Sequence, residues 1–300
     1  MPEPRETEGS RNGLKETIGA YLVLTKARIV VMILITTAAG FYIASPGGFD
    51  ALTLLSTLFG TALVAGGTNA LNQYMERHLD SLMKRTRRRP LPGSRMTERA
   101  ALRFSVAISV IGVVWLWFVV NPLASILTFA TLASYLFIYT PLKQKTDLCT
   151  VIGAVPGAIP PMIGWAGAVG HLDLGAWILF GLMFLWQLPH FLAIAWLYRE
   201  DYGRAGFAII SVNDRDGTLS SRQAFVFSLA LLPVSLLPTL ARVAGLDYLV
   251  GAAIVGAMLL LASLSFLRTR SIRSARMLFG VSNLYLVVVM SMLVISAGIH

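Results

Sequence analysis

Charge is scarce in this sequence: Asp, Glu, Lys and Arg make up only 13% of its 300 residues, while 56% are hydrophobic and the mean hydropathy is +0.69. So few charges cannot cover a water-facing surface, which excludes an ordinary soluble fold and leaves an apolar surplus to face lipid. Cysteine is almost absent. The single Cys149 excludes an internal disulfide and a multi-cysteine metal site, and reads as a small apolar residue near a helix start. Also missing are a repeat of 20–50 residues, a low-complexity tract and a linker, so one membrane domain over residues 1–300 is expected. The first 20 residues, MPEPRETEGSRNGLKETIGA, mix acids with bases around no apolar core. They are expected to be a polar tail, neither a secretory signal nor a transit peptide.

What the sequence does have is long apolar runs. A spanning helix needs about 20 mostly apolar residues, because each residue rises about 1.5 Å through a hydrocarbon core of roughly 30 Å. Nine stretches qualify, over residues 28–46, 51–71, 101–120, 123–140, 148–169, 174–197, 222–241, 247–267 and 278–298. The expected fold is therefore all-α, a polytopic bundle of nine transmembrane helices. A net charge of +10 in a soluble protein would point to nucleic acid, but here 24 of the 25 lysines and arginines fall on one side of the nine spans. Arg242 is the exception. That alternation follows the positive-inside rule, argues against a nucleic-acid partner, and predicts a cytoplasmic N-terminus and basic loops with a periplasmic C-terminus. Charged groups are nearly absent from the spans, which counts against an ion pump or secondary transporter.

Polar chemistry is concentrated at the basic side. In NALNQYMERHLDSLMKRTRRRPLPGSRMTERA, residues 69–100, Asn72, Glu76 and Asp80 recur every four positions and share an arc of roughly 80° on a helix continuing the second span. Oxygen donors of this kind suit Mg2+, usually held by one or two carboxylates together with substrate phosphates. Arg85, Arg87, Arg88 and Arg89 follow, and arginine matches phosphate oxygens. A metal–diphosphate site is one reading. The other is a solvated helix end, with Glu76 and Asp80 paired to Arg77 and Lys84 at helical spacing. Lys143 and Lys145 after the fourth span, and Glu200, Asp201 and Tyr202 after the sixth, lie at the same depth, with Arg199 and Arg204 able to neutralise the second acidic cluster. The fifth span, IGAVPGAIPPMIGWAGAVG, is rich in glycine and proline, which permits close helix approach and local unwinding.

These segments together resemble the UbiA superfamily of intramembrane prenyltransferases, and within it the haem-farnesylating branch. NQYMERHLD is similar to the superfamily's first motif, NDxxDxxxD, and SLMKRTRRRPL to the branch's MxRTxxRPL. YTPLKQKT, GAIPPMIGW, WQLPHF and EDYGRAG follow in the branch's order, so the resemblance covers roughly residues 20–295. Three departures stand out: Gln73 and Glu76 replace the superfamily's two aspartates, Asp201 is followed four places later by Ala205, and LTKARIV lacks the usual proline between Lys26 and Arg28.

The resemblance implies a nine-helix bundle with cytoplasmic loop caps in a bacterial inner membrane, transferring farnesyl from farnesyl diphosphate to a vinyl group of haem B to give haem O. It implies Mg2+ held by Asn72, Glu76, Asp80 and Asp201 as the catalytic set, and substrate binding by Arg85, Arg89, Lys143, Lys145, Tyr139 and Tyr202. A downstream haem A synthase is a candidate partner. Four histidines are present, of which His171 and His300 fall on the outer side, and His78 is turned away from the acidic arc. His190 remains as a candidate axial ligand to haem iron, or as a neutral imidazole bonded to the carbonyl freed by Pro189. Lys26 and Arg28 are candidates for the haem propionates or for interfacial anchoring. The nearest alternative activity is prenylation of an aromatic acid or a chlorin; a haem or lipid carrier without chemistry would not need carboxylates at ligand spacing.

Overall fold

The computed structural model describes residues 16–45 and 47–298. Thirteen helices appear among them. α1 (Glu16–Leu24) and α2 (Ala27–Ile43) meet at a 51° bend. α3 (Ala51–Met75), α5 (Glu98–Val120), α6 (Pro122–Leu142), α7 (Cys149–Val169), α8 (Leu174–Leu197), α11 (Thr218–Leu240), α12 (Leu246–Thr269) and α13 (Ile272–Ala297) are each long and apolar enough to span a bilayer. The short helices α4 (Arg77–Leu82), α9 (Arg199–Arg204) and α10 (Ile210–Asn213) lie in connections. Eight spans stand alone and the bent α1–α2 pair makes a ninth, in agreement with the count from hydropathy.

Local chemistry fixes the ends. Asp50, Asn121 and Asp173 cap α3, α6 and α8 at one end of the bundle, each accepting backbone N–H groups of the first turn. Thr97 and Ser271 do the same for α5 and α13 at the other. In lipid an unsatisfied amide has no water to turn to, so such caps mark where the chain can leave the hydrocarbon. Phe118, Phe137 and Leu240 are 79%, 71% and 75% exposed, as side chains meeting acyl chains would be. Inside, α8 packs against α7, α11 and α13, α3 against α5, and α2 against α7. The α2–α7 crossing is backbone to backbone: a Cβ on Gly40 would strike the Pro161 carbonyl, and one on Gly164 the Thr37 carbonyl. That is the close approach expected of the glycine-rich fifth span, and the interruption expected there falls at Ile159, before Pro160 and Pro161.

Two expectations need correction. The polar tail assigned to residues 1–20 lies outside the described residues up to 15, but from Glu16 the chain is helical. Tyr21 and Leu24 dock on Ala70, Ala101 and Phe104, giving α1 a buried face that its mixed composition hides. The helix of the second span does not run on unbroken through Asp80. It ends at Met75, and Glu76, with φ −92° and ψ 6°, is the joint to α4. Glu76 N still bonds Asn72 O and Asp80 N bonds Glu76 O, so the four-residue progression survives the break.

Candidate functional site

The basic connections gather at one end of the bundle. There, three of the four side chains expected as ligands, Asn72, Glu76 and Asp80, are each held by a different cation. Lys26 Nζ donates to Asn72 Oδ1 at 3.1 Å. Lys143 Nζ lies 2.8 Å from Glu76 Oε1. Arg89 Nη1 reaches both oxygens of Asp80, at 2.8 and 2.7 Å. Asn72, Glu76 and Asp80 are all buried, at 1%, 5% and 0% exposure. The helix-end pairing with Arg77 and Lys84 is not what forms: Arg77 binds Glu98 at 2.7 Å. His78 is exposed, turned from the acids as its position on the helix requires.

The backbone delivers these cations in specific ways. Lys26 sits at the α1–α2 bend with φ 52° and ψ 54°, a left-handed conformation that turns the chain toward α3. Ala27, where a proline was expected, is the first residue of α2, a position at which proline and alanine are both accommodated. Lys143 follows a π-helical turn, Ser134–Tyr139, at the end of α6. That turn brings Tyr135 beside Tyr139, the rings tilted with centroids 5.1 Å apart, and Lys143 Nζ lies 4.5 Å from the Tyr139 ring centroid. Gly153 leaves the room for the Tyr139 ring, which any Cβ there would strike. Thr140 Oγ1 donates to Tyr135 O at 2.8 Å and accepts from Asn72 Nδ2 at 3.3 Å, locking Asn72 so that Oδ1 faces Lys26. Burial disfavours charge on Lys143, yet Tyr139 and the Glu76 carboxylate outweigh it and raise its pKa above the usual lysine range. Burial pushes the Asp80 carboxyl up, against the pull of Arg89.

Gln73, which stands where the superfamily has aspartate, has a different task. Its Nε2 donates to Val23 O at 2.9 Å and Leu24 O at 2.7 Å, tying down the last carbonyls of α1, which a carboxylate could not do. Its Oε1 is buried without a hydrogen-bond partner. Sequence reasoning missed this clamp, as it missed Thr140 and Tyr135; Gln73 was the one signal, an amide where a carboxylate was expected.

The other candidates are spread around this core. Asp201 accepts from Lys84 N at 3.3 Å and pairs with Arg204, so its neutralisation by a near neighbour is realised, while Arg199 instead lies over the Trp196 ring. Among the described residues no group of three or more His, Cys, Asp or Glu side chains is placed to hold a metal ion, so Asp201 does not join Glu76 and Asp80 in a three-carboxylate centre. Asn72, Glu76 and Asp80 alone remain an all-oxygen donor set with two carboxylates, which fits Mg2+ bound jointly with substrate phosphates. Tyr139 and Tyr202 come together, lining a cavity of about 70 Å3 with Cys149, Gly153, Phe191 and Ile194. Arg85 covers the Tyr198 ring; Arg28 and Lys145 are exposed. His190 belongs elsewhere, in the α8–α13 seam. Its Nδ1 bonds Ser282 Oγ at 2.9 Å, and its ring packs between Trp186 and Phe279; the bond to a carbonyl freed by Pro189 is not formed.

Apolar helices that end in a buried cluster of carboxylates, lysines and arginine describe a membrane protein built to meet a long apolar molecule at its anionic head. The chain belongs to the UbiA prenyltransferase family, whose profile matches residues 33–289. It is 45% identical over 275 residues to a protoheme IX farnesyltransferase of Solibacter usitatus, covering 89% of this chain and 94% of that protein. Another from Salinibacter ruber is 41% identical over 266 residues, covering 89% and 94%. The fold matches a solved digeranylgeranylglyceryl phosphate synthase with a TM-score of 0.79 at 20% identity, over 94% and 99% of the two chains. A UbiA homologue from Archaeoglobus fulgidus, solved with DMAPP and Mg2+, matches with a TM-score of 0.64 at 13% identity, over 91% and 98%.

Proposed function

We propose that this protein transfers the farnesyl group of farnesyl diphosphate to a vinyl group of haem B, giving haem O and diphosphate. The observation that carries the reading is the set of half-buried Lys26, Lys143 and Arg89 facing the buried Asn72, Glu76 and Asp80 at one end of an apolar bundle. It is supported by identity of 45% and 41% to two protoheme IX farnesyltransferases.

The chemistry follows from those groups. Lys26, Lys143 and Arg89 take up the negative charge of the diphosphate as the C–O bond to the farnesyl carbon breaks, which is electrostatic stabilisation by preorganised donors. Mg2+, held by the oxygens of Asn72, Glu76 and Asp80, would supply further neutralisation of the leaving group. The Tyr139 ring, against which Lys143 already lies, can equally face the allylic cation. The haem vinyl group supplies the electron pair for the new C–C bond, water adds at the adjacent carbon, and a proton is lost, leaving a hydroxyalkyl substituent. Buried walls keep water from the cation before the porphyrin reaches it.

The same reading takes the protein to lie in a bacterial inner membrane with its basic loops cytoplasmic, and to hand its product to a haem A synthase. Purified protein given farnesyl diphosphate, haem B and Mg2+ is expected to form haem O and release pyrophosphate. Haem binding with no pyrophosphate release would instead identify a carrier.

A further inference from the structure

We infer, resting on that reading, that the free site excludes Mg2+ on its own and admits it only together with a diphosphate, the two arriving by an exchange of partners. The three candidate metal-binding side chains are not open: Lys26 holds the Asn72 oxygen, Lys143 one oxygen of Glu76, and Arg89 both oxygens of Asp80. The ion pairs Lys143–Glu76 and Arg89–Asp80 cancel, and Lys26 adds to them no more than one positive charge. A lone Mg2+ would leave at least two uncompensated positive charges, in a setting where Glu76 and Asp80 are at most 5% exposed and water screens little. It would also strip Lys143 and Arg89, whose side chains are 12% and 20% exposed, of their counter-charges, and a charge so shielded from water is destabilised by losing its partner.

A diphosphate reverses this. It offers Lys26, Lys143 and Arg89 new oxygen acceptors as they leave Asn72, Glu76 and Asp80, and the side chains so released face the metal. Mg2+ cancels most of the diphosphate's negative charge, and the negative remainder is what the cations of the cluster can take up, so each makes room for the other. Binding is then reciprocal: whatever factor the diphosphate adds to metal affinity, the metal adds to diphosphate affinity.

Equilibrium dialysis of the full-length protein in detergent tests this, with Mn2+ standing in for Mg2+, inorganic pyrophosphate as the second probe, and protein-free micelles as control. Retention of Mn2+ is expected to rise by roughly 5–150-fold when pyrophosphate is present, the span usual for coupled sites. Two variants give a signature that loss of structure cannot mimic. Lys143→Met and Lys26→Met each remove one competing positive charge, so Mn2+ alone should bind more tightly than to wild type while pyrophosphate binds less tightly. Equal Mn2+ retention with and without pyrophosphate would overturn coupled entry and leave the farnesyl-transfer reading standing. Mn2+ retained in neither condition would overturn both.

Discussion

Asp80 and Arg89 stand nine positions apart in the chain and meet through one guanidinium nitrogen, Nη1, which lies 2.8 and 2.7 Å from the two carboxylate oxygens. Asp80 is fully buried and the Arg89 side chain 20% exposed, so the pair joins α4 to the loop beyond it as well as supplying site charge. Asp80→Asn keeps the shape and removes the charge. By analogy with the loss of a charge-stabilising group elsewhere, turnover should fall roughly 10²–10³-fold. Arg89 is left without its carboxylate, but its partial exposure limits the stability cost to about 1–3 kcal/mol. Haem O formation and thermal unfolding, measured side by side, check this. Activity within a few-fold of wild type would remove Asp80 from the site.

Gln73 makes a different kind of claim. In Gln73→Leu, of similar size, Val23 O keeps the Lys26 N–H at 3.2 Å, but the buried Leu24 O loses the Gln73 amide. A loss of about 1–3 kcal/mol is expected for the group left unsatisfied, felt locally at α1 and at Lys26 beyond it. Hydrogen exchange should therefore quicken over residues 16–24 while α8 and α13 keep their protection. Uniform loss of protection, or none, would refute the clamp.

The disposition of charge gives a topological prediction. Parity of the nine spans puts Arg242, between α11 and α12, at the end opposite the cation cluster. A reporter placed in the 84–95 loop should read as cytoplasmic and one fused to the C-terminus as periplasmic. Signals from a single side would break the parity.

Hydropathy alone located the spans because lipid imposes length and composition on each helix separately, and polar caps such as Asp50 and Asp173 sharpen their ends. The acidic face was legible for the same local reason, since a spacing of four is a property of one helix. Partners were not. Spacing proposed Arg77 and Lys84, whereas Glu76 and Asp80 took Lys143 and Arg89, one from the distant end of α6 and one from a loop whose path no periodicity records. α1 was hidden because a short amphipathic helix acquires its buried face only from what it docks on, here Tyr21 on Phe104 and Gln73 on its last carbonyls.

His190 carries the last prediction. Its Nδ1 is committed to Ser282 Oγ at 2.9 Å, and Trp186, whose own Nε1 donates to Ser282 O at 2.6 Å, stacks on the ring with centroids 5.2 Å apart. A bond at one ring nitrogen fixes orientation and tautomer, which is how ligating histidines are usually held. The other nitrogen, Nε2, is then the one available to a haem iron. A porphyrin held there would have its vinyl edge fixed relative to the farnesyl cation, a gain in proximity rather than in bond-making. Titrating haem into His190→Ala should show weaker binding and an altered Soret band. Ser282→Ala, which loosens the ring but keeps it, should bind haem with a wild-type spectrum and lower haem O formation. An unchanged spectrum and affinity in His190→Ala would show that the iron is not bound there, whatever the effect on rate.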